Sequence, residues 1–281
     1  MVAIQGPKYD GPMTDTANSI GGQLRMWRQR RHLSQLELAC EADISARHVS
    51  FLETGRSMPS REMLLRLAER LAIPLRERNP LLLSAGFAPV YSERKLDDPA
   101  LEQAKKAIEL VIGGHEPYPA LAIDRHWSLI AANSVVHPLL AGVAPRLLEP
   151  PMNVLRLALH PEGLAPRVEN FGEWRAHLLS RLRHQIDATA DPVLVELLAE
   201  LESYPVTGAA HYEGQVEDYG GVLVPLRLRT EQGVLSFFST TTVFGTPLDI
   251  TLAELAIESM FPADPQTAEL LAGAARGKTA K

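Results

Sequence analysis

Residues 34–56 read "SQLELACEADISARHVSFLETGR". Ser34 and Glu37 form a capping box, in which the hydroxyl accepts from the Glu37 amide and the carboxylate reaches back to the Ser34 amide. That predicts a helix of about two turns with Leu38 and Ala39 turned inward. Ala42, Asp43 and Ile44 make the turn that follows, and Ser45 caps a second short helix running to about Glu53. On this second helix Val49 and Leu52 look inward, while Ala46, Arg47, Ser50 and Phe51 share the opposite side. A short helix that shows water an arginine, a serine and a phenylalanine keeps that face for something other than a core.

The flanking sequence supplies the rest of a small helical domain. Residues 20–31 carry Ile20, Leu24 and Trp27 at helical spacing. Gly55 and Pro59 punctuate the exit from the second short helix. Ser60 opens a fourth helix with Met63, Leu64, Leu67 and Leu71 at core spacing, and Pro74 begins a fifth. Two short helices joined by a tight turn are the helix-turn-helix unit. The reading is an all-α five-helix domain over residues 19–90, preceded by a disordered or extended arm at 1–18.

The stretch "LSQLELACEADISARHVSFLETGRSMPSREMLLRLAERLAIP" resembles, along its whole length, the lambda-repressor-like (Cro/repressor, XRE-type) DNA-binding domains. One departure is Asp43, where that family usually has glycine; aspartate is among the residues that tolerate a left-handed turn. The resemblance implies that the second short helix lies in the major groove with its N-terminal half against base edges. It turns Gln35, Ser45, Ala46, Arg47, Ser50 and Phe51 toward DNA. Arg47 is the candidate reader of guanine O6 and N7, and Ala46 and Phe51 suit a thymine methyl. Gln35, Arg56 and Arg31 are candidates for phosphate contacts, which set position but not sequence.

Composition agrees with that division. The 281-residue chain is long enough for two domains and 46% hydrophobic, so it can fill a core. Its net charge of −6 is uneven: residues 20–78 hold 11 arginines against seven acids, a net +4. A basic front on an acidic body suits a protein that meets a polyanion with one end, although exposed helix faces also carry arginines. The single cysteine, Cys40, excludes an internal disulfide and fits a reducing compartment. No run approaches the roughly 18 apolar residues of a membrane span, and the first residues lack the order of a signal peptide. The expected location is the cytoplasm, with the nucleoid when bound to DNA.

Beyond residue 90 the chain changes character. Residues 91–118 begin polar and end in glycine and proline, with a helical stripe of Leu101, Ala104, Ile108 and Val111, and read as a linker with a connecting helix. "PALAIDRHWSLIAANS" at 119–134 alternates like a hairpin. Residues 134–141, 152–159, 170–189 and 191–203 look helical. "GGVLVPLRLRT" and "GVLSFFSTTTVF" are strand-like, "ITLAELAIESMFP" reads as a last strand, and "DPQTAELLAGA" as a closing helix. This is an α+β domain over 119–275 with a largely antiparallel sheet, followed by a flexible tail at 276–281.

"PALAIDRHWSLIAANS", "LRLALHPEGLAPRVENFGEWRAHLLSRLR" and "LSFFSTTTVFGTPLDITLAELAIESMFPAD" look like the MmyB-like ligand-binding domain that follows such DNA-binding domains in bacterial transcription regulators. The resemblance implies a PAS-like fold with a cavity between sheet and helices, holding a fatty-acid-like molecule. Candidate contacts are Trp127, Phe171, Trp174, Leu178, Phe237, Phe238 and Phe244. An apolar cavity with a few polar groups is the usual small-molecule site, but the same stripe is what any helix packed on a sheet displays.

Other signals carry less. His177 and His184 share a helix with Arg181 between them, a cation that argues against a divalent metal, and this side reads as a solvated face. "GAARGKT" at 273–279 has three residues between its glycines where a phosphate loop needs four. No G-x-S-x-G or H-E-x-x-H occurs, and Cys40 lies beside Glu41, which disfavours a thiolate. The expectation is a non-enzymatic, cofactor-free transcription regulator, probing double-stranded DNA as a homodimer and sensing a small apolar effector. A constitutive repressor whose second domain serves only dimerisation or protein docking is the alternative, and an enzyme acting on the ligand is a third reading.

Overall fold

The computed structural model describes residues 19–205, 224–245 and 249–279. The arm at 1–18 lies outside the described residues. The chain divides into two compact units, Met1–Ser92 and Glu93–Lys281.

In the first unit α1 (Ile20–Arg30), α2 (Gln35–Glu41), α3 (Ala46–Glu53), α4 (Arg61–Arg70) and α5 (Leu75–Ser84) follow one another. Ser19, Ser34, Ser45 and Ser60 each cap the helix that follows, and at Ser34 both bonds of the capping box are made. Asp43 takes the left-handed conformation at φ 55°, as the turn demands. The core is Leu24, Trp27, Leu38, Val49, Leu52, Leu64, Leu67 and Leu71. Gly21 lets α1 approach α3, for a Cβ there would stand 2.5 Å from the Leu52 carbonyl oxygen. The nearly buried guanidinium of Arg28 forms a two-point bridge to Glu53, at 2.6 and 2.9 Å, and donates to the Leu33 carbonyl at 2.7 Å. That bridge ties α1 to the end of α3.

The second unit opens with α6 (Glu102–Gly114), β1 (Ala120–Ile123), β2 (Leu129–Ala132), α7 (Val136–Leu139) and α8 (Val154–Leu159). The long helices α9 (Phe171–Thr189) and α10 (Pro192–Ser203) follow, then β3 (Leu226–Thr230) and β4 (Gly233–Val243). The unit closes with α11 (Ile250–Ala253), β5 (Ala256–Pro262) and α12 (Pro265–Thr279). Among the described residues the strands make one antiparallel sheet in the order β2-β1-β5-β4-β3. One face of the sheet, with Leu121, Ile123, Leu228, Leu235 and Phe237, packs on Trp174, Leu178 and Leu182 of α9 and on Leu194, Leu197 and Leu201 of α10. The other face presents Ala120, Ala122 and Ile257 to Ile108 and Ile112 of α6.

Four expectations change. The connecting helix is part of the second unit, because the small alanines of β1 leave room for α6 to lie on the sheet. Its buried stripe runs through Ile112 and not Val111, which is 48% exposed. The stretch "ITLAE" is a helical turn before β5, since Asp249 caps it through the Thr251 amide at 3.0 Å. At the other end, the backbone of 276–279 continues α12 where a flexible tail was expected.

Candidate functional site

The exposed side of α3 comes from the first unit. Arg47 stands over the ring of its i+4 neighbour Phe51, with its guanidinium carbon 5.1 Å from the ring centroid. Arg56, just past the helix, approaches the same ring at 5.8 Å. It gets there because the amides of Arg56 and Ser57 both return to the Phe51 carbonyl, at 2.9 and 3.2 Å, around Gly55 at φ 70°. Phe51 is half-buried and both arginines are exposed. A ring flanked by two guanidinium groups restricts long side chains that would otherwise sample many rotamers. Ala46 and Ser50 flank this group on the same helix side.

Ser45 spends its hydroxyl on the His48 amide at 3.1 Å, so it orders the start of α3. Gln35 gives one amide hydrogen to Glu53 Oε2 at 2.9 Å and so joins the bridge to Arg28. Glu53 therefore holds α1, α2 and α3 together through one carboxylate. The strong Glu53 bond raises the pKa of Arg28 despite the opposing effect of burial.

Arg31, expected from the sequence at a phosphate, makes bonds within its own domain. Its Nε donates to the Leu71 carbonyl at 2.8 Å and its second terminal nitrogen to that of Ala72 at 2.9 Å. It also stacks over Trp27 at 5.3 Å. It satisfies the carbonyls at the end of α4, as a basic side chain at a helix C-terminus does. Burial, then the charge of Arg30, lowers its pKa.

In the second unit the seven expected ligand contacts do not line one cavity. Phe171, Trp174, Leu178 and Phe237 are buried in the core between sheet and helices. Trp127 joins them, with its indole N–H given to Gln185 at 2.7 Å and the Arg181 guanidinium 5.0 Å from its ring. Phe238 follows Phe237 on a strand and so points to the opposite face, where it stacks on Phe261. Phe244 packs beside α6 and β5. The expected solvated side of α9 is also corrected. Arg181 turns to the sheet and bonds the buried Glu258 at 2.7 Å and Thr241 at 3.0 Å, while His177 stacks on Trp174.

A cleft of about 1290 Å³ opens elsewhere in this unit, between the α7 region, the β3–β4 hairpin and α12. Val135, Leu139, Leu235 and Leu271 give it apolar walls, and Arg167 and Arg229 stand at its polar side. Arg167 braces that wall by donating to the carbonyls of Leu139, Ala141 and Arg229 at 3.0, 2.6 and 3.1 Å. Most of these residues lie in turns and short elements, where no periodicity marks them in the sequence.

A capped helix pair with a basic outer face, joined in one chain to an α+β unit with an apolar cleft, defines a DNA-binding regulator with a ligand-binding domain. Residues 24–78 match the helix-turn-helix family model, and residues 104–273 match the MmyB-like transcription regulator ligand binding domain. The second match covers more than half of the chain, which belongs to that family. Both are domains of transcription regulators rather than of enzymes. No curated protein matches the chain. Among the described residues no helix is long and apolar enough to cross a membrane.

Proposed function

We propose that the protein is a sequence-specific transcription regulator of the cytoplasm that binds a two-fold operator as a homodimer and responds to a small, apolar, fatty-acid-like effector. The observation that carries the DNA-reading part is the Arg47–Phe51–Arg56 group on the open side of α3. Arg47 sits one residue into the helix, where a recognition helix meets base edges. A guanidinium braced by a ring is pre-ordered for two parallel bonds to guanine. Arg56, beyond the helix end, is the phosphate contact, assisted by the second amide hydrogen of Gln35. The effector reading is supported by the apolar walls of the cleft and the arginines beside it. The strand order β2-β1-β5-β4-β3 supports the PAS-like assignment.

Selection of duplexes from a random pool, followed by binding titrations, tests this. Arg47→Ala is expected to relax preference at one base position, by about 1–3 kcal/mol of discrimination. Arg56→Ala is expected to weaken all duplexes alike and to flatten the salt dependence by about one unit. Equal losses on selected and random DNA for both variants would show that Arg47 does not read sequence.

The burial of Trp174 and Phe237 in one hydrophobic cluster favours one other reading, a constitutive repressor whose second domain only dimerises or docks a protein. Mass spectrometry of the native and denatured protein separates the two. A retained acyl compound that changes operator affinity supports the sensor. A chain that stays empty when challenged with such compounds supports the constitutive repressor.

A further inference from the structure

The outward side of α6 has a pattern that the fold of its own unit does not use. Ile108 and Ile112 lie on the sheet, while Leu110 is 76% exposed and Val111 48%. Gln103, Ala107, Leu110 and Gly114 fall at spacings of four, three and four and are all exposed. Such spacing aligns residues on one side of a helix as a packing seam. Two of the four are small, which allows a second backbone to come close. On one flank stand Lys106, next to the seam, and Glu109, further round toward the sheet, with Lys106 already 2.7 Å from Glu102 and both of that pair well exposed.

We infer that this face of α6 pairs with the same face of a second copy, antiparallel and about a two-fold axis between Ala107 and Leu110. The proposal rests on the homodimer reading above and assigns its contact. In that register Ala107 opposes the partner's Leu110, and Gln103 opposes the partner's Gly114. The occupant is chosen by charge. Lys106 and the partner's Glu109 lie on the same flank and are offset by two residues along the axis, or about 3 Å. The symmetry makes that bridge twice. A parallel pairing about the same seam carries the partner's Glu109 to the far flank and leaves Lys106 facing the partner's Ala104 and the partner's Val111, so the bridge is lost. The ammonium has three donors and can serve Glu102 and the partner's Glu109 together.

The size of the contact fixes its strength. A 13-residue helix is about 20 Å long, and one such pair buries less than the roughly 1,200 Å² of a standard stable interface. The free dimer is therefore weak and reversible, and a two-fold DNA site strengthens it by holding both copies.

Sedimentation velocity of the full chain over a range from about 1 to about 200 µM, spanning weak association, tests the contact. The wild type is expected to pass from monomer to dimer. Leu110→Glu, at an exposed position that folding does not use, is expected to raise the dissociation constant about 30-fold or more. Lys106→Glu alone raises it about tenfold, through two lost bridges, and adding Glu109→Lys to it restores the dimer. In a Cys40→Ser background, Ala107→Cys with Leu110→Cys is expected to give a disulfide-linked dimer under mild oxidation. A wild type that stays monomeric, a dimer unmoved by Leu110→Glu, or a charge exchange that fails to restore it would each overturn the assignment. Binding to a half-site duplex keeps the two readings apart. It is retained by Leu110→Glu if only the contact is lost, and it is absent from the wild type if the DNA-binding reading itself fails.

Discussion

Glu53 shows how much can rest on one carboxylate. It takes two bonds from Arg28 and one from Gln35, and its side chain is 3% exposed against 11% for Arg28. Glu53→Ala leaves a guanidinium inside the domain with only the Leu33 carbonyl as partner, at a cost of about 3 kcal/mol. Thermal unfolding of the first unit checks this, and a change below about 1 kcal/mol would mean that water replaces the carboxylate. His177 gives a second case, governed by pH. Burial, followed by the charge of Arg181, lowers its pKa against the pull of Glu258 and Glu173. The unfolded chain takes up a proton near pH 6.5, while the folded chain takes it up only at lower pH. Between those values the unfolded state holds more protons, so stability falls as pH falls. His177→Phe keeps a ring over Trp174 and is expected to flatten that acid limb for the second unit. An unchanged slope in denaturant titrations below pH 6.5 would place the effect on another group.

At the scale of elements, the helix pair was legible because its signals are local. A capping box, a left-handed turn residue and inward residues one turn apart are all written within a few positions, and each is made as read. Gly21 is different, since its reason lies 31 residues away on α3. A Cβ would stand 2.5 Å from the Leu52 oxygen, so Gly21→Ala pushes α1 off α3 at a cost of about 2–3 kcal/mol. Calorimetry reads the cost and operator titration reads the displaced α3; a variant with wild-type values in both would mean that the backbones give way freely. In the second unit the order of helices and strands was readable, but the side each residue faces was not. Phe237 and Phe238 look alike as a pair of aromatics, yet the two-residue period of a strand sends one into the core and the other to α6's side of the sheet. Val111 and Ile112 differ by one position on α6, and the roughly 100° turn per helical residue puts one outside and the other inside. The cleft was not legible, because Val135, Leu235 and Leu271 are brought together by the sheet and not by spacing. The bonds of Arg31 to the end of α4 were not legible, because a carbonyl at the end of a distant helix gives no sign in the sequence around it.

On the scale of the molecule, two compact units with separate cores predict two unfolding steps. An effector that binds the second unit should raise only that step, by about 2.7 kcal/mol when present at a hundred times its dissociation constant. Scanning calorimetry with and without an acyl compound is the check, and movement of both steps together would mean that the units melt as one. The placement of the three tryptophans supplies a further means of watching this. Trp27 is buried in the first unit under Arg31, whereas Trp127 and Trp174 are buried in the second under Arg181 and beside His177. Replacing Trp127 and Trp174 by phenylalanine leaves a chain whose tryptophan emission belongs to the helix-turn-helix unit alone, and replacing Trp27 leaves one whose tryptophan emission comes only from the ligand-binding unit. Each half of the protein thus carries its own lamp, and a change in either can be followed without attaching a dye.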